Sequence, residues 1–265
     1  MLEMTDIHCH ILPKVDDGAD SVEEARQMLR REYEDGVRTI IATPHYREGM
    51  FEPSMKRIAH YYEGMRKVAA KDTPGLRLYL GCEYHTNSRM TEDLRQRRRP
   101  TMVGSTYVLT EFSGAHNYEK IRNQVYELIA EGYKPIVAHI ERYPCLQEDL
   151  ERVRELIGLG ARIQINAGAI MGGAGNKVKK FCRQVMEEDL LHFIASDAHG
   201  IKYRYPNLGE CAKYVTKKMG ASYAEKIFRE NPEHILDDAR RVRKQREGRK
   251  NLIERAIAAR SNKKT

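Results

Sequence analysis

Seven short apolar runs, separated by longer amphipathic segments, constrain the fold of this 265-residue chain more than any other sequence feature. The runs are EMTDIHC, VRTIIAT, LRLYLGCEY, TYVLTEF, KPIVAHI, ARIQINA and LHFIAS. Runs that are apolar almost throughout are typical of strands buried on both faces, as in parallel sheets. Seven β-α units in succession predict an α/β fold, a closed or nearly closed parallel (β/α) barrel. A doubly wound open sheet is the alternative.

Four of the segments between these runs carry signals that begin and end helices. SVEEARQMLRREYEDG opens with Ser21 and Glu24 in the spacing of a capping box and ends at Gly36. NYEKIRNQVYELIAEG starts at Asn117 and ends at Gly132, and LQEDLERVRELIGLG and NKVKKFCRQVMEEDL follow the same plan. These signals predict helices between the strands, as a barrel of β-α units requires.

The net charge of +8 is concentrated at the C-terminus. Residues 239–265 hold 11 Lys+Arg and 2 Asp+Glu, which leaves 46 − 11 = 35 basic and 38 − 2 = 36 acidic residues in the other 238. We therefore divide the chain into a barrel at 1–238 and a basic tail, predicted to be helical, at 239–265. A body without excess positive charge does not indicate a nucleic-acid partner.

The tail has two interpretations. Its segment NLIERAIAAR places four apolar side chains on one helical face: Leu252, Ile253, Ala256 and Ile257. A solvated or packing helix is one interpretation, and peripheral contact with an acidic membrane surface or partner is the other.

Cysteine usage and hydropathy predict the compartment. The five cysteines are scattered and odd in number, which favours free thiols in a reducing cytoplasm. The N-terminus has no pattern of a secretory signal, and no apolar run approaches the ~18 residues of a membrane span. We expect a cytoplasmic protein, and the sequence leaves its oligomeric state open.

Side chains that can bind metal ions follow six of the seven predicted strands. They are His8, His10, His45, Glu83, Glu111, His139, Asp197 and His199. Because the carboxyl ends of parallel barrel strands open onto one face, we expect these side chains to converge. The sixth strand, QINAG, offers no strong ligand. Imidazoles and carboxylates without clustered thiolates favour Mn, Fe or Zn, and their number predicts two or three bridged ions.

A single histidine after a strand is usually an ordinary buried polar residue, so the concentration of such residues carries the metal hypothesis. The remaining histidines serve as a contrast. We interpret His60, His192 and His234 as structural, and His85 and His116 as residues of surface loops.

Two arginines suggest what the metal site acts on. Arg142 follows His139 by three residues and Arg204 follows Asp197 by seven, so either guanidinium could bind a phosphate oxygen bidentately. The alternative for each is a surface arginine. A cysteine-dependent phosphatase is disfavoured, because no cysteine here has an arginine six positions later.

The motifs together resemble a known family. DIHCHILPKVDDGADS, IIATPHY, GCEY, EFS, AHIERY and ASDAHG, in this order over residues 4 to 238, resemble the PHP (polymerase and histidinol phosphatase) superfamily. Within it they look most like the bacterial manganese-dependent tyrosine phosphatases of capsule and exopolysaccharide operons. Ile140 stands where that family often has proline.

The resemblance implies a distorted seven-stranded (β/α) barrel, in a single domain, with a trinuclear metal centre. Its ligands map onto His8, His10, Asp17, His45, Glu83, Glu111, His139, Asp197 and His199, and its phosphate-binding arginines onto Arg142 and Arg204. Asp17 is the aspartate that aligns, whereas we expect Asp16 to shape the turn before Gly18. Manganese is the first expectation for the metal, with iron or zinc as alternatives.

The expected reaction is hydrolysis of phosphotyrosine on a protein, with a tyrosine-kinase tail as the implied substrate and capsule or exopolysaccharide synthesis as the regulated process. A metal-held hydroxide would attack phosphorus in line, and His199 or Asp17 would protonate the leaving oxygen. Two alternatives stay open. One is a small-molecule phosphatase, such as a histidinol phosphatase, or a phosphodiesterase on the same cluster; the other is a non-catalytic binding protein that keeps the fold.

Overall fold

The computed structural model of the chain describes residues 2–261, and the side chains of residues 2–251. Within these residues, nine parallel strand segments occupy seven positions around a curled sheet. They are β1 (Met4–Cys9), β2 (Val37–Ala42), β3 (His45–Tyr46), β4 (Arg77–Leu80), β5 (Glu83–His85), β6 (Tyr107–Glu111), β7 (Lys134–Val137), β8 (Arg162–Asn166) and β9 (Phe193–Ala195).

The predicted second and third strands are each broken into two segments. β2 gives way to β3 at Pro44, which has no backbone N–H for the ladder, and β4 gives way to β5 at Gly81. The backbone N–H of Thr43 still donates to Cys9 at 3.0 Å, and that of Gly81 to Ala42 at 2.8 Å. The pairing is β1-β2-β4 on one side of the breaks and β3-β5-β6-β7-β8-β9 on the other.

The sheet closes between β9 and β1. The backbone N–H of His10 donates to the carbonyl of Ala198 at 2.9 Å, and that of Asp197 donates to the carbonyl of His8 at 2.8 Å. The predicted distorted barrel is confirmed, and the open sheet is wrong. Closure also brings the ends of the first and last strands, with their metal-binding residues, side by side.

The barrel interior is filled below the strand ends. Ile7, Ile41, Leu109, Ile136 and Phe193 form one buried cluster and are each 2% exposed or less. A larger apolar cluster lies between the strands and the surrounding helices. Since the lumen is packed with hydrocarbon, polar side chains can collect only at its open end.

Helices follow most strands. They are α1 (Val22–Glu34), α2 (Met55–Asp72), α3 (Met90–Arg95), α4 (Tyr118–Ala130), α5 (Pro144–Gln147), α6 (Leu150–Leu159), α7 (Ala167–Met171), α8 (Asn176–Glu187), α9 (Leu208–Met219), α10 (Ala221–Glu225) and α11 (Asn231–Ser261). Single turns of 3₁₀ helix occur at Met102–Gly104 and Ile140–Arg142, and a π-helical turn, Lys226–Glu230, joins α10 to α11.

The predicted helix starts are present. The hydroxyl of Ser21 accepts from the N–H of Glu24 at 3.1 Å, and the side chain of Asn117 accepts from Lys120 at 3.1 Å. The Glu24 carboxylate accepts from the backbone N–H of Asp20 at 2.8 Å. Ser21 therefore caps the N-terminus of α1, and the Glu24 side chain in turn binds the backbone of Asp20, the residue before the cap.

The C-terminal helix α11 runs without a break through the proposed boundary at 238/239. Asp238 fastens it to the barrel, since its carboxylate accepts from the backbone N–H of Thr106 at 2.7 Å and pairs with Lys134 at 3.2 Å. The tail's backbone is helical through Ser261, but the side chains of the predicted apolar face, Leu252, Ile253, Ala256 and Ile257, lie outside the described ones. No helix in the described part of the chain is long and apolar enough to cross a membrane.

Candidate metal centre

Four buried residues form the centre of the site at the open end of the barrel. His8 Nε2 lies 3.1 Å from Glu83 Oε2 and 3.4 Å from Asp197 Oδ1, and His10 Nε2 lies 3.2 Å from Glu83 Oε2. All four side chains are 2% exposed or less. One candidate ligand atom from each residue lies within 4.8 Å of the others, which is a separation that a shared metal ion could bridge.

A second group opens toward solvent. It combines His10 with Asp17, His45 and His199, again with candidate ligand atoms within 4.8 Å of one another. Oδ1 of Asp17 lies 3.5 Å from Nε2 of both His45 and His199. The Asp17 side chain is 48% exposed, so this group forms the mouth of the site.

A third group consists of His45, Glu83 and Glu111. His45 Nδ1 lies 2.9 Å from Glu83 Oε2 and 3.8 Å from Glu111 Oε2. His139 adjoins it, with Nε2 2.8 Å from Glu83 Oε1. The structure therefore brings all nine sequence-predicted ligands together, and His10, His45 and Glu83 each belong to two groups.

Several of these atoms are buried without a hydrogen-bond partner among the described residues. They are His45 Nδ1, Glu83 Oε2, Glu111 Oε2, Asp197 Oδ1 and His199 Nε2. Some lie close to one another, but their geometry does not suit a hydrogen bond. Leaving so many buried polar atoms without partners is costly, and cations between them would satisfy all of them at once. The donor set fits a cluster of divalent ions.

The pKa shifts point the same way. Burial disfavours the imidazolium forms of His8 and His45, but the nearby carboxylates, Glu83 above all, outweigh it and raise these pKa values to about 9 and about 10. Although burial opposes it, the same pairing holds the pKa of Glu83 well below its usual range. Burial and the charge of Glu83 raise the pKa of Glu111 to about 7. The raised pKa values mean that protons on these side chains offset the negative charge of the clustered carboxylates. Bound metal cations would offset the same charge in place of the protons.

Arg142 and Arg204 share one anchor at the mouth. Nη2 of each lies 2.6 Å from Oδ2 of Asp197, while the two side chains are 42% and 40% exposed. Each guanidinium thus has one nitrogen fixed next to the ligand cluster and other N–H groups facing outward. This geometry suits binding of a phosphoryl group above the cluster.

Two predicted ligands sit at backbone positions that L-residues rarely adopt. His139 has φ 33° and Asp197 has φ 51°, both in the left-handed region. His139 also precedes the 3₁₀ turn that begins at Ile140 and carries Arg142. Strained conformations of this kind cost of order 1–3 kcal/mol each and persist where the surrounding structure enforces them, often at functional sites.

Asp16 has a larger part in the site than the sequence suggested. It accepts from the backbone N–H of Gly18 at 3.0 Å, which shapes the turn. Its other oxygen lies 2.9 Å from His10 Nδ1 and accepts from the backbone N–H of His45 at 2.7 Å. Asp16 therefore orients His10 and is not itself a member of the candidate ligand groups.

Other supporting residues were also missed. Tyr143 Oη lies 3.3 Å from His139 Nδ1, and the ring of Phe51 stacks on His45 at a centroid distance of 5.3 Å. The predicted sixth strand, β8, contributes Gln164 and Asn166, which contact the ligands. Tyrosine, phenylalanine and side-chain amides are not strong metal ligands, so the sequence pattern did not single them out. Their role depends on which residue they contact in the folded protein.

None of the remaining histidines belongs to the groups of candidate ligands found among the described residues. His60 and His234 are exposed, and His192 Nδ1 accepts from the backbone N–H of Ile163 at 3.2 Å. His85 is the last residue of β5, so its interpretation as a loop residue was wrong, whereas His116 lies in the loop before α4. Their rings are 6.3 Å apart.

A further buried group lies behind β1 and has a different character. The Asp6 carboxylate accepts from the backbone N–H groups of His8 at 3.2 Å and Ser196 at 3.1 Å, and so ties β1 to β9. Burial raises the pKa of Asp6, and it raises that of the neighbouring Glu32 well above its usual range. Both carboxylate oxygens of Glu32 are buried without a hydrogen-bond partner among the described residues, and Asp6, Cys9 and Glu32 form a fourth group of candidate ligand atoms.

Comparisons with known proteins agree with the geometry. Residues 4–237 match the family described as capsular polysaccharide synthesis, CpsB/CapC. The chain is 37% identical over 240 residues to the tyrosine-protein phosphatase CpsB of Streptococcus pneumoniae, covering 89% of this chain and 99% of that protein. It is 34% identical to the tyrosine-protein phosphatase YwqE of Bacillus subtilis, covering 88% of this chain and 91% of the relative.

Solved structures support the same assignment. One from a study of B. subtilis YwqE and S. pneumoniae CpsB, described as unique metal-dependent tyrosine phosphatases, aligns with a TM-score of 0.82 at 32% identity, covering 89% of this chain and 95% of that one. The histidinol phosphate phosphatase of Lactococcus lactis aligns with a TM-score of 0.55 at 18% identity, covering 83% and 95%, which shows a shared fold alone. The chain therefore belongs to the CpsB/CapC family of capsular polysaccharide synthesis and is a metal-dependent tyrosine phosphatase.

Proposed function

We propose that the cluster holds two or three divalent ions, manganese first and iron or zinc as alternatives, and that it hydrolyses phosphotyrosine in a protein substrate. The observation that carries this proposal is the convergence of nine ligands beneath two arginines that share Asp197. When bound, the ions would activate a water molecule and neutralise charge on the phosphoryl group. The ligands we assign are His8, His10, Asp17, His45, Glu83, Glu111, His139, Asp197 and His199.

The two arginines hold the phosphoryl group. Arg142 and Arg204 are fixed at one nitrogen each by Asp197, so their exposed N–H groups need little reorganisation to meet the non-bridging oxygens. Because both guanidiniums contact the same carboxylate oxygen, a phosphoryl group that they bind would lie next to the ligand cluster.

His199 and Asp17 are the two residues we propose for protonating the leaving oxygen, and two observations bear on their roles. His199 Nδ1 lies 3.0 Å from the carbonyl oxygen of Asp197, so Nδ1 carries the proton and Nε2 presents a lone pair to the cluster. That arrangement suits a ligand. Although burial opposes it, the neighbouring imidazoles, His199 above all, hold the pKa of Asp17 well below its usual range, so Asp17 is ionised near neutral pH. The phenolate has a pKa near ~10 and needs little help in leaving.

The partner is a phosphotyrosine protein, and the tail of a bacterial tyrosine kinase is the finer proposal. A cytoplasmic location and peripheral contact of the basic tail 239–265 with an acidic membrane surface belong to the same proposal. The tail holds 11 basic and 2 acidic residues, and its positive charge supports such a contact.

One assay tests the reaction. The purified chain with Mn²⁺ should release phosphate from phosphotyrosine peptides, and a chelator should abolish this release. Alkylation of the cysteines should leave the rate unchanged, because burial raises the pKa of each of the five thiols. Rapid turnover of histidinol phosphate with none of phosphopeptides would favour the small-molecule alternative. Activity that survives the chelator but not alkylation would overturn the metal mechanism.

A further inference from the structure

The side chains of Gln164 and Asn166 connect three of the assigned ligands through a chain of hydrogen bonds. Both residues lie on β8, the strand without a metal ligand, and they are 0% and 8% exposed. Oε1 of Gln164 lies 2.7 Å from the backbone nitrogen of His139 and 3.4 Å from Nδ1 of His8. Nε2 of Gln164 donates to Asn166 Oδ1 at 2.8 Å, and Nδ2 of Asn166 donates to Asp197 Oδ2 at 2.7 Å.

The direction of this chain is set by the backbone. The N–H of His139 can only donate, so the Gln164 atom that faces it must be the oxygen. The Gln164 amide nitrogen then faces Asn166, whose oxygen must accept from it. The Asn166 nitrogen is thereby left to donate to Asp197, where a carboxylate oxygen accepts. One peptide N–H thus determines the orientation of both amides.

The first consequence concerns the tautomer of His8. Since its Nδ1 faces the Gln164 oxygen, an acceptor, Nδ1 carries the proton. The lone pair is then on Nε2, the atom that lies 3.1 Å from Glu83 Oε2 and 3.4 Å from Asp197 Oδ1. A metal-binding histidine needs this arrangement, with its other ring nitrogen donating to a fixed acceptor.

The second consequence concerns the two oxygens of Asp197. Oδ2 receives three donors, from Asn166 at 2.7 Å and from Arg142 and Arg204 at 2.6 Å each. Oδ1 has no hydrogen-bond partner among the described residues and faces His8. The carboxylate is therefore held with one oxygen committed to donors and the other directed at the cluster.

We propose that Gln164 and Asn166 are positioning residues, which hold His8 as its Nδ1–H tautomer and Asp197 with Oδ1 toward the ions. This inference rests on the metal centre of the proposed function. The sequence offers no metal-binding side chain on β8. Instead, this strand carries the two amides that hold ligands on β1 and at the ends of β7 and β9.

The test compares Gln164→Met and Asn166→Leu, which keep the side-chain size but remove the polar atoms, with the matched control Gln124→Met. Gln124 is also buried, at 8% exposure, but it lies on α4 and donates to Glu127. Competition with a chelator should show about 10- to 100-fold weaker Mn²⁺ affinity for each β8 variant and wild-type affinity for the control. The d–d absorption of the Co²⁺-substituted protein should change in the β8 variants alone.

A merely structural role would give another result. If Gln124→Met and the β8 variants lower the melting temperature of the chelator-treated protein alike, and Mn²⁺ affinity and the Co²⁺ spectrum stay at wild-type values, the inference is overturned. If Gln164→Met does not fold, Asn166→Leu decides by the same measurements. Wild-type protein that binds Mn²⁺ but hydrolyses no phosphopeptide would reject the proposed function, while the affinity comparison would still decide the role of β8.

Discussion

Arg142 donates from Nη2 to Oδ2 of Asp197 at 2.6 Å, and this bond joins the loop after β7 to the end of β9. Arg204 contacts the same oxygen of Asp197. The Asp197 carboxylate therefore connects the ligand cluster to the two arginines above it. In the proposed mechanism, a substrate phosphoryl group bound to these arginines would lie next to the ions. The proposal therefore gives Asp197 two roles, as a metal ligand and as the contact that holds both phosphate-binding arginines.

Arg142→Lys should weaken phosphate binding without loss of bound metal. A lysine keeps the charge but loses the planar pair of N–H donors, so kcat/KM on phosphotyrosine peptides should fall by about 10²-fold while the bound metal stays at its wild-type level. Steady-state kinetics and metal analysis of the same preparation measure both. Arg183→Lys, on α8 and paired with Glu187 at 2.7 Å, is the control and should have no effect. An unchanged rate in Arg142→Lys would exclude phosphate binding by this residue.

His8→Ala should lose metal and activity together. Its Nε2 lies between Glu83 and Asp197 at the centre of the cluster, so its removal takes one proposed ligand atom from this group. We expect at least about 10²-fold weaker Mn²⁺ binding and a parallel fall in rate, measured by chelator competition and phosphate release. The exposed His60 provides the matched control, His60→Ala. Full metal content in His8→Ala would argue against its assignment as a ligand.

Asp16→Asn should weaken metal binding without removing a ligand. The Asp16 carboxylate faces three N–H groups, those of His10 Nδ1, the His45 backbone and the Gly18 backbone, and an amide must direct its NH₂ at one of them. Mn²⁺ affinity should fall by about 10- to 100-fold by titration calorimetry. Asp20→Asn, at an exposed position in the same loop, should match wild type. Equal affinities in the two variants would show that Asp16 serves only the turn.

His192 should make the stability of the metal-free protein depend on pH. Burial, with Arg162 and Lys226 nearby, lowers its pKa from 6.5 to about 4, and its Nδ1 must stay unprotonated to accept from Ile163. The depressed pKa means that its contribution is complete above pH 6.5. As the pH falls toward 4, the unfolded chain binds a proton that the folded chain does not, and stability falls by up to about 1.4 kcal/mol per pH unit.

His192→Asn tests this linkage, because an amide oxygen can accept from Ile163 but does not titrate. Urea unfolding between pH 7 and pH 4, with a chelator present, should show a shallower loss of stability in the variant than in wild type. Parallel curves would mean that other groups account for the acid sensitivity.

The sequence by itself predicted the barrel and the residues that converge at its open end. Strand-length apolar runs specify buried parallel strands, and the strong ligands stand directly after them, so topology alone predicts that His8, Glu83 and Asp197 meet. The breaks in the second and third strands were not predicted, although Pro44 marks one of them. A barrel tolerates such a break because neighbouring carbonyls still receive the displaced N–H groups.

Only the tertiary structure decided which weaker polar groups serve the site. Asp16, Gln164 and Asn166 are common residue types, and their roles depend on the atom that each one faces across the barrel. That pairing joins residues far apart in the chain, such as Gln164 with His8 and Asn166 with Asp197. Local sequence pattern records which side chains are present and which face of a strand they occupy. Hydrogen-bond direction arises only when closure of the barrel brings donors and acceptors into contact.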